Sequence, residues 1–131
     1  MKIAVDTNVL VRAAVRDDPA QTDAATRVMA RAETLAITVP SLCEFVWVLH
    51  SVYGYRAPMI AEAIRRLVAA ENVETNRPAI EAGLTMLDAG GDFADGVIAY
   101  EGRWLGAETF VSFDKKAVEM LIELGFEARA L

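Results

Sequence analysis

The stretch Lys2-Ile3-Ala4-Val5-Asp6-Thr7-Asn8 decides the fold. Its apolar residues, Ile3 to Val5, run without polar alternation, as strands covered on both faces of a parallel sheet do, and stop at an acid. Leu35 to Val39, Thr109 to Val111 and Ala128 to Leu131 have the same short apolar character, the last with the weakest β preference. Helical spacing fills the intervals. Ile60, Ile64, Leu67 and Val68 follow Pro58, and Ile80, Leu84 and Leu87 follow Pro78. These two helices read as an insertion around a short extended piece at Val73 to Thr75. Ser41 opens a helix that Gly54 stops, Asp92 opens one that Gly106 ends, and Lys115 to Leu124 form a last helix before Gly125. This alternation predicts a three-layer α/β/α fold with a central, mainly parallel sheet, as one domain over residues 1–131. Ligands of such sheets bind outside the carboxyl ends of the strands, the edge that Asp6 and Asp114 are expected to occupy.

Four acids stand at strand ends or helix openings: Asp6, Glu44 of Pro40-Ser41-Leu42-Cys43-Glu44, Asp95 of Gly91-Asp92-Phe93-Ala94-Asp95, and Asp114 of Phe110-Val111-Ser112-Phe113-Asp114. Each has an ordinary structural explanation. Glu44 stands three residues after Ser41, the spacing of a capping box. Asp92 fits a cap with Asp95 in the following first turn, and Asp114 fits a cap of the last helix. Asp6 is harder to assign this way, because an acid at a buried strand end needs partners, for which Thr7 and Asn8 are candidates. Asp92 and Asp95 also share a helix face, where like charges repel by a few tenths of a kcal/mol. A cation removes that cost. Together the four acids predict a carboxylate cluster for a divalent ion. Mg²⁺ and Mn²⁺ prefer such hard oxygen donors, keep several waters and bridge to substrate phosphate. Two ions ~4 Å apart activate water on one side of a phosphodiester and stabilise the leaving oxygen on the other, so no histidine base is required. The single histidine, His50, reads as structural.

The bulk composition narrows the function classes. The chain has 131 residues, enough to close a core without disulfides, so a metal would be functional rather than structural. Hydrophobic residues make up 54%, compatible with an apolar face covered by a second copy or a partner. A net charge of -6 excludes a general nucleic-acid coating protein, but Arg12, Arg16, Lys115 and Lys116 flank the first and last acids and offer local positive charge. Cys43 is the only cysteine, which excludes an internal disulfide and a multi-thiolate zinc site, and it reads as buried and inert. No apolar run long enough for a membrane span and no secretion signal are read, so the expected location is cytoplasmic. Trp47, Tyr53, Tyr55, Tyr100 and Trp104 offer faces for base stacking, but their helical positions favour core or interface packing.

Val5-Asp6-Thr7-Asn8, Pro40-Ser41-Leu42-Cys43-Glu44, Asp92-Phe93-Ala94-Asp95-Gly96-Val97-Ile98-Ala99 and Ser112-Phe113-Asp114-Lys115-Lys116-Ala117 together resemble the signature of PIN-domain ribonucleases. The likeness covers the whole chain and is nearest to the VapC toxins of type II toxin-antitoxin pairs. It implies a PIN-like fold and a Mg²⁺- or Mn²⁺-dependent endoribonuclease, with Asp6, Glu44, Asp95 and Asp114 as metal-binding acids. Thr7, Asn8 and Ser112 match supporting positions that orient the acids, and Asp92 matches an additional acid. The resemblance further implies an RNA substrate, a homodimer and a cognate antitoxin that wraps an apolar groove. Gly96 departs from it, standing where an alanine or another helix former is more usual, at a cost of up to ~1 kcal/mol in helix propensity.

Other α/β classes fit less well. A haloacid-dehalogenase-like phosphatase wants a second Asp two residues after the first, where this chain has Asn8. A phospho-receiver domain wants paired acids after its first strand, and a dinucleotide-binding domain wants Gly-x-Gly-x-x-Gly after Val5. The remaining rival is a PIN-like module that binds RNA or protein without cutting.

Overall fold

A computed structural model describes all residues, 1–131, which form two compact units, Met1–Asn76 and Arg77–Leu131. In the first unit, β1 (Lys2–Ala4) leads into α1 (Thr7–Val15) and α2 (Pro19–Arg31). Then follow β2 (Thr34–Ala36), α3 (Val39–Ser51), α4 (Ala57–Ala69) and β3 (Val73–Glu74). The strands pair in parallel in the order β1-β2-β3, with Ile3 opposite Leu35 and Leu35 opposite Val73. The extended piece at Val73 is therefore a strand of the sheet. The helices before it form a crossover connection from β2, not an insertion. Asn72 ties this turn down, its side-chain amide donating to the Met29 and Ala32 carbonyls at 3.0 and 2.9 Å.

The second unit contains α5 (Arg77–Asp88), α6 (Phe93–Trp104), β4 (Phe110–Ser112), α7 (Lys115–Glu123) and β5 (Ala128–Ala130). Its two strands are also parallel, with Val111 opposite Arg129. Gly106 and Gly125, at φ of +99° and +94°, end the chain's turns out of α6 and α7, as their positions in the sequence predict. The architecture is thus of the α/β type read from the sequence, seven helices with short parallel strands.

Burial departs from the expectation of strands covered on both faces. Ile3 is half-buried between exposed Lys2 and Ala4, and of the strand residues only Leu35 and Val73 are buried. Strands of two or three residues supply little core, so helices do. Leu10, Leu42, Phe45, Leu49, Ile60 and Ile64 are sealed in the first unit, and Leu84, Met86, Phe93 and Leu121 in the second.

The start of α3 also differs from the reading of Ser41 as its cap. Thr38 is the cap, its Oγ1 accepting the Ser41 N–H at 3.3 Å, and Pro40 occupies the first turn, where a missing N–H costs nothing. Ser41 instead donates its hydroxyl back to the Thr38 carbonyl at 2.7 Å and is buried. Glu44 consequently lies beyond the capping-box position and is free of that role.

Helices α5 and α6 approach closely because glycines face the contact. A Cβ on Gly96 would stand 2.5 Å from the Ala82 carbonyl oxygen and 2.9 Å from Met86 Cβ, and one on Gly83 would stand 2.5 Å from the Phe93 ring. The glycine at 96 therefore tightens the packing beside Asp95 rather than loosening it. We expect Gly96→Ala to lower stability by about 1–3 kcal/mol through overpacking, despite its better helix propensity. Gly102→Ala on the same helix, where the nearest atom is the Ala107 Cβ at 3.8 Å, should be neutral or stabilising by up to about 1 kcal/mol. Thermal or denaturant unfolding of the two variants checks the contrast.

Candidate functional site

Asp6 stands just past the end of β1 and caps α1, its Oδ1 accepting the Val9 N–H at 3.2 Å. It is exposed, and its partner is this backbone amide. Thr7 serves a different acid from the one expected. Its hydroxyl donates to Glu44 Oε1 at 3.1 Å, linking the start of α1 to the second turn of α3. Because β1 and β2 are parallel neighbours, the helices that follow them start from the same end of the sheet, which brings residues 37 apart into hydrogen-bond range. Asn8 is exposed and makes no such bond to Asp6.

In the second unit, Asp92 caps α6 through the Ala94 N–H at 3.0 Å, and Asp114 caps α7 through the Ala117 N–H at 3.1 Å. Ser112, the last residue of β4, accepts the Asp114 N–H on its Oγ at 3.0 Å and so fixes the turn that presents Asp114. The capping explanations for Asp92 and Asp114 are therefore correct, and Asp6, for which Thr7 and Asn8 were the expected partners, is a helix cap as well. Each uses one carboxylate oxygen on its own helix, leaving the other to accept elsewhere.

Asp95 is the exception. It lies half-buried in the first turn of α6 and is not the cap. A helix N-terminus favours an ionised carboxylate. Burial nevertheless raises the Asp95 carboxyl above its ordinary range, and the neighbouring Asp92 and Asp114 charges raise it further. Asp95, Asp92 and Asp114 are thus electrostatically coupled, and a cation would favour the ionised form.

The donor chemistry suits a hard divalent ion, which takes carboxylate oxygens and retains water on its open positions. No ready cage is present: nowhere are three or more His, Cys, Asp or Glu side chains gathered to hold a metal. His50 is exposed, with Nδ1 3.4 Å from the Tyr55 carbonyl oxygen, and Cys43 is half-buried rather than buried. Trp47 and Trp104 are not core residues. They are 64% and 76% exposed, Trp104 donating its indole N–H to the Tyr100 hydroxyl at 2.7 Å. Sequence reading passed over a more exposed aromatic, Phe113, at 81%, between Ser112 and Asp114.

Parallel strands joined by helices define an α/β protein, which presents an acid just past β1 in the first unit and, in the second, acids just past β4 and in the first turn of α6. The chain belongs to the PIN-domain family, whose model matches residues 3–120. PIN domains are typically nucleases that act on RNA and use divalent metal ions. No match to a curated protein was found. No helix is long and apolar enough to cross a membrane.

The raised Asp95 carboxyl fixes a sign. Asp95 holds its proton more tightly in the folded chain than in the unfolded one. Its protonated form therefore favours the fold below the unfolded value of about 3.9, and that contribution is lost as pH rises through the raised value. In the presence of chelator, Asp95→Asn is expected to raise Tm at neutral pH, with the difference closing as pH falls below about 4. Thermal unfolding across that range is the check, and a Tm difference constant with pH would exclude ionisation of Asp95 as its source.

Proposed function

We propose that this chain is a Mg²⁺- or Mn²⁺-dependent endoribonuclease and the VapC-like toxin of a type II toxin-antitoxin pair. In this reading residues 1–131 act as one PIN domain, in the cytoplasm and as a homodimer. The observation that carries it is Asp95, an acid with no capping role, half-buried beside Asp92 and Asp114 at a cost to its charge, in a member of a nuclease family. Structural ion pairs and caps do not explain that placement, whereas holding a cation does.

We assign metal binding to Asp6, Glu44, Asp95 and Asp114. When bound, a divalent ion supplies an activated water and neutralises charge on the phosphodiester. Thr7 positions Glu44 through its hydroxyl, and Ser112 positions Asp114 through its backbone N–H. Asp92 adds negative charge beside Asp95, and Asn8, exposed two residues after Asp6, is left to meet substrate or solvent.

We assign the antitoxin to a groove in the first unit. A groove of ≈ 510 Å³ is lined by Ala14, Met29, Tyr55, Met59 and Leu67, with Arg16 among the residues at its wall. Its size and apolar lining suit the hydrophobic face of a partner helix carrying an acid for Arg16.

A second reading, a PIN-like module that binds without cutting, draws on the absence of three gathered metal donors. Cleavage of total RNA by the purified chain, with Mg²⁺ or Mn²⁺ against a chelator control, separates the two. Asparagine caps helices as well as aspartate, so Asp6→Asn and Asp114→Asn remove charge while keeping the cap. These, Glu44→Gln and Asp95→Asn are each expected to lower cleavage by about 100-fold or more. Thr7→Val, which leaves Glu44 unsupported, should lower it about 10–100-fold. An Asp95→Asn variant cutting at the wild-type rate would remove the metal-site assignment.

A further inference from the structure

We infer that Phe113 is a base-stacking residue, and that the substrate it selects is RNA presenting an unpaired base next to the phosphate to be cut. The inference rests on the nuclease reading and goes beyond it by naming a specificity-determining side chain.

Alternate residues along β4 face opposite sides of the strand. Phe110 packs against the core formed by Met86, Ala99, Ala117 and Leu121. Val111 and Phe113 are exposed, the latter at 81%, whereas Phe45 and Phe93 of the same chain are fully buried. One exposed aromatic is ordinary in itself. Its surroundings set Phe113 apart.

The residue before it, Ser112, is fixed on two sides: its carbonyl accepts the Leu131 N–H at 2.9 Å, and its Oγ accepts the Asp114 N–H at 3.0 Å. The residue after it, Asp114, is fixed by capping α7. The ring is thus carried on a short backbone segment anchored at both ends. That limits the ordering cost of using it for recognition.

Its neighbours match RNA chemically. Asp114 is an acid assigned to the metal, and exposed Lys115 and Lys116 follow directly. An acid, a flat apolar face and two cations therefore occupy four consecutive residues. A net charge of -6 leaves little general attraction for a polyanion, so affinity must come from such local contacts. The lysines offer charge to phosphates flanking the cut, and the ring offers a face to a base. A base can stack there only when it is out of its duplex, as in loops, bulges and single strands. A phenyl ring has no donor or acceptor, so it selects for an unpaired base and not for a particular one.

The test uses the full chain with two RNAs of one sequence, a single strand carrying 2-aminopurine and its fully paired duplex. Binding is followed by fluorescence in chelator, and cleavage of a stem-loop RNA is followed with Mg²⁺ or Mn²⁺. Phe113→Ala is expected to weaken single-strand binding by about 5- to 150-fold, the loss of one base stack, with unchanged Tm. Phe113→Tyr should bind within about threefold of wild type, since it keeps the ring. Wild type should cut the loop in preference to the stem, and Phe113→Ala should lose that preference. Weaker binding by Phe113→Ala together with no cutting by wild type supports the stacking role and overturns only the nuclease reading. Cutting and binding by Phe113→Ala equal to wild type overturns the stacking role alone. A changed molecular mass of Phe113→Ala with unchanged RNA binding assigns the ring to a protein interface and overturns it as well. No RNA binding by wild type overturns both.

Discussion

Parallel strands cannot be closed by tight turns, and the capped helix starts that follow β1, β2 and β4 come from that constraint. β1, β2 and β4 each hand the chain to a helix, and the first N–H groups of each helix need acceptors that the helix cannot supply. Asp6, Thr38 and Asp114 supply them. The helix dipole favours negative charge at these positions, so each strand-to-helix transition accommodates an aspartate at low cost. Capping and metal binding are therefore compatible uses of the same side chain. A cap takes one oxygen of the carboxylate and holds the other in a defined place.

That compatibility makes the caps poor evidence of function and shifts the weight to the two acids that do not cap. Glu44 lies beyond the first turn of α3 and is oriented by Thr7 from another helix. Asp95 is held where burial and two other carboxylates oppose its charge. Neither acid satisfies the first N–H groups of its own helix. A carboxylate kept where its ionised form is disfavoured is the kind of group that functional sites use.

Much of this was legible because local rules decided it. Pro58 and Pro78 mark the starts of α4 and α5, and Gly106 and Gly125 take the positive φ that their positions after α6 and α7 require. Asp92 and Asp114 cap the helices they were expected to cap. The failures lie where tertiary contacts choose between local options. Thr38 and Ser41, on either side of Pro40, both have a hydroxyl fit to cap, and the direction of the Ser41 bond to the Thr38 carbonyl decides between them. The extended piece at Val73 was read inside an insertion, and its place as a strand of the sheet comes from β2 lying alongside. Thr7 looked equally able to serve Asp6, and only the parallel pairing of β1 with β2 puts Glu44 within its reach. Exposure of Phe113 was hidden by its residue type, since phenylalanine ordinarily reads as core.

Gly96 shows how a local cost becomes an asset at the site. Taken by itself, glycine in the first turns of α6 weakens the helix. In the fold its missing Cβ lets α6 settle against the backbone of α5 at Ala82, closer than any other residue permits. Asp95 is the neighbouring residue and lies half-buried in the same turn. Desolvation is the largest cause of its raised carboxyl. A bulkier residue at 96 would have to shift this turn of α6 against α5, and any shift that exposed Asp95 would relax its carboxyl toward the ordinary range. Helix packing and the burial of Asp95 thus meet in one turn of α6.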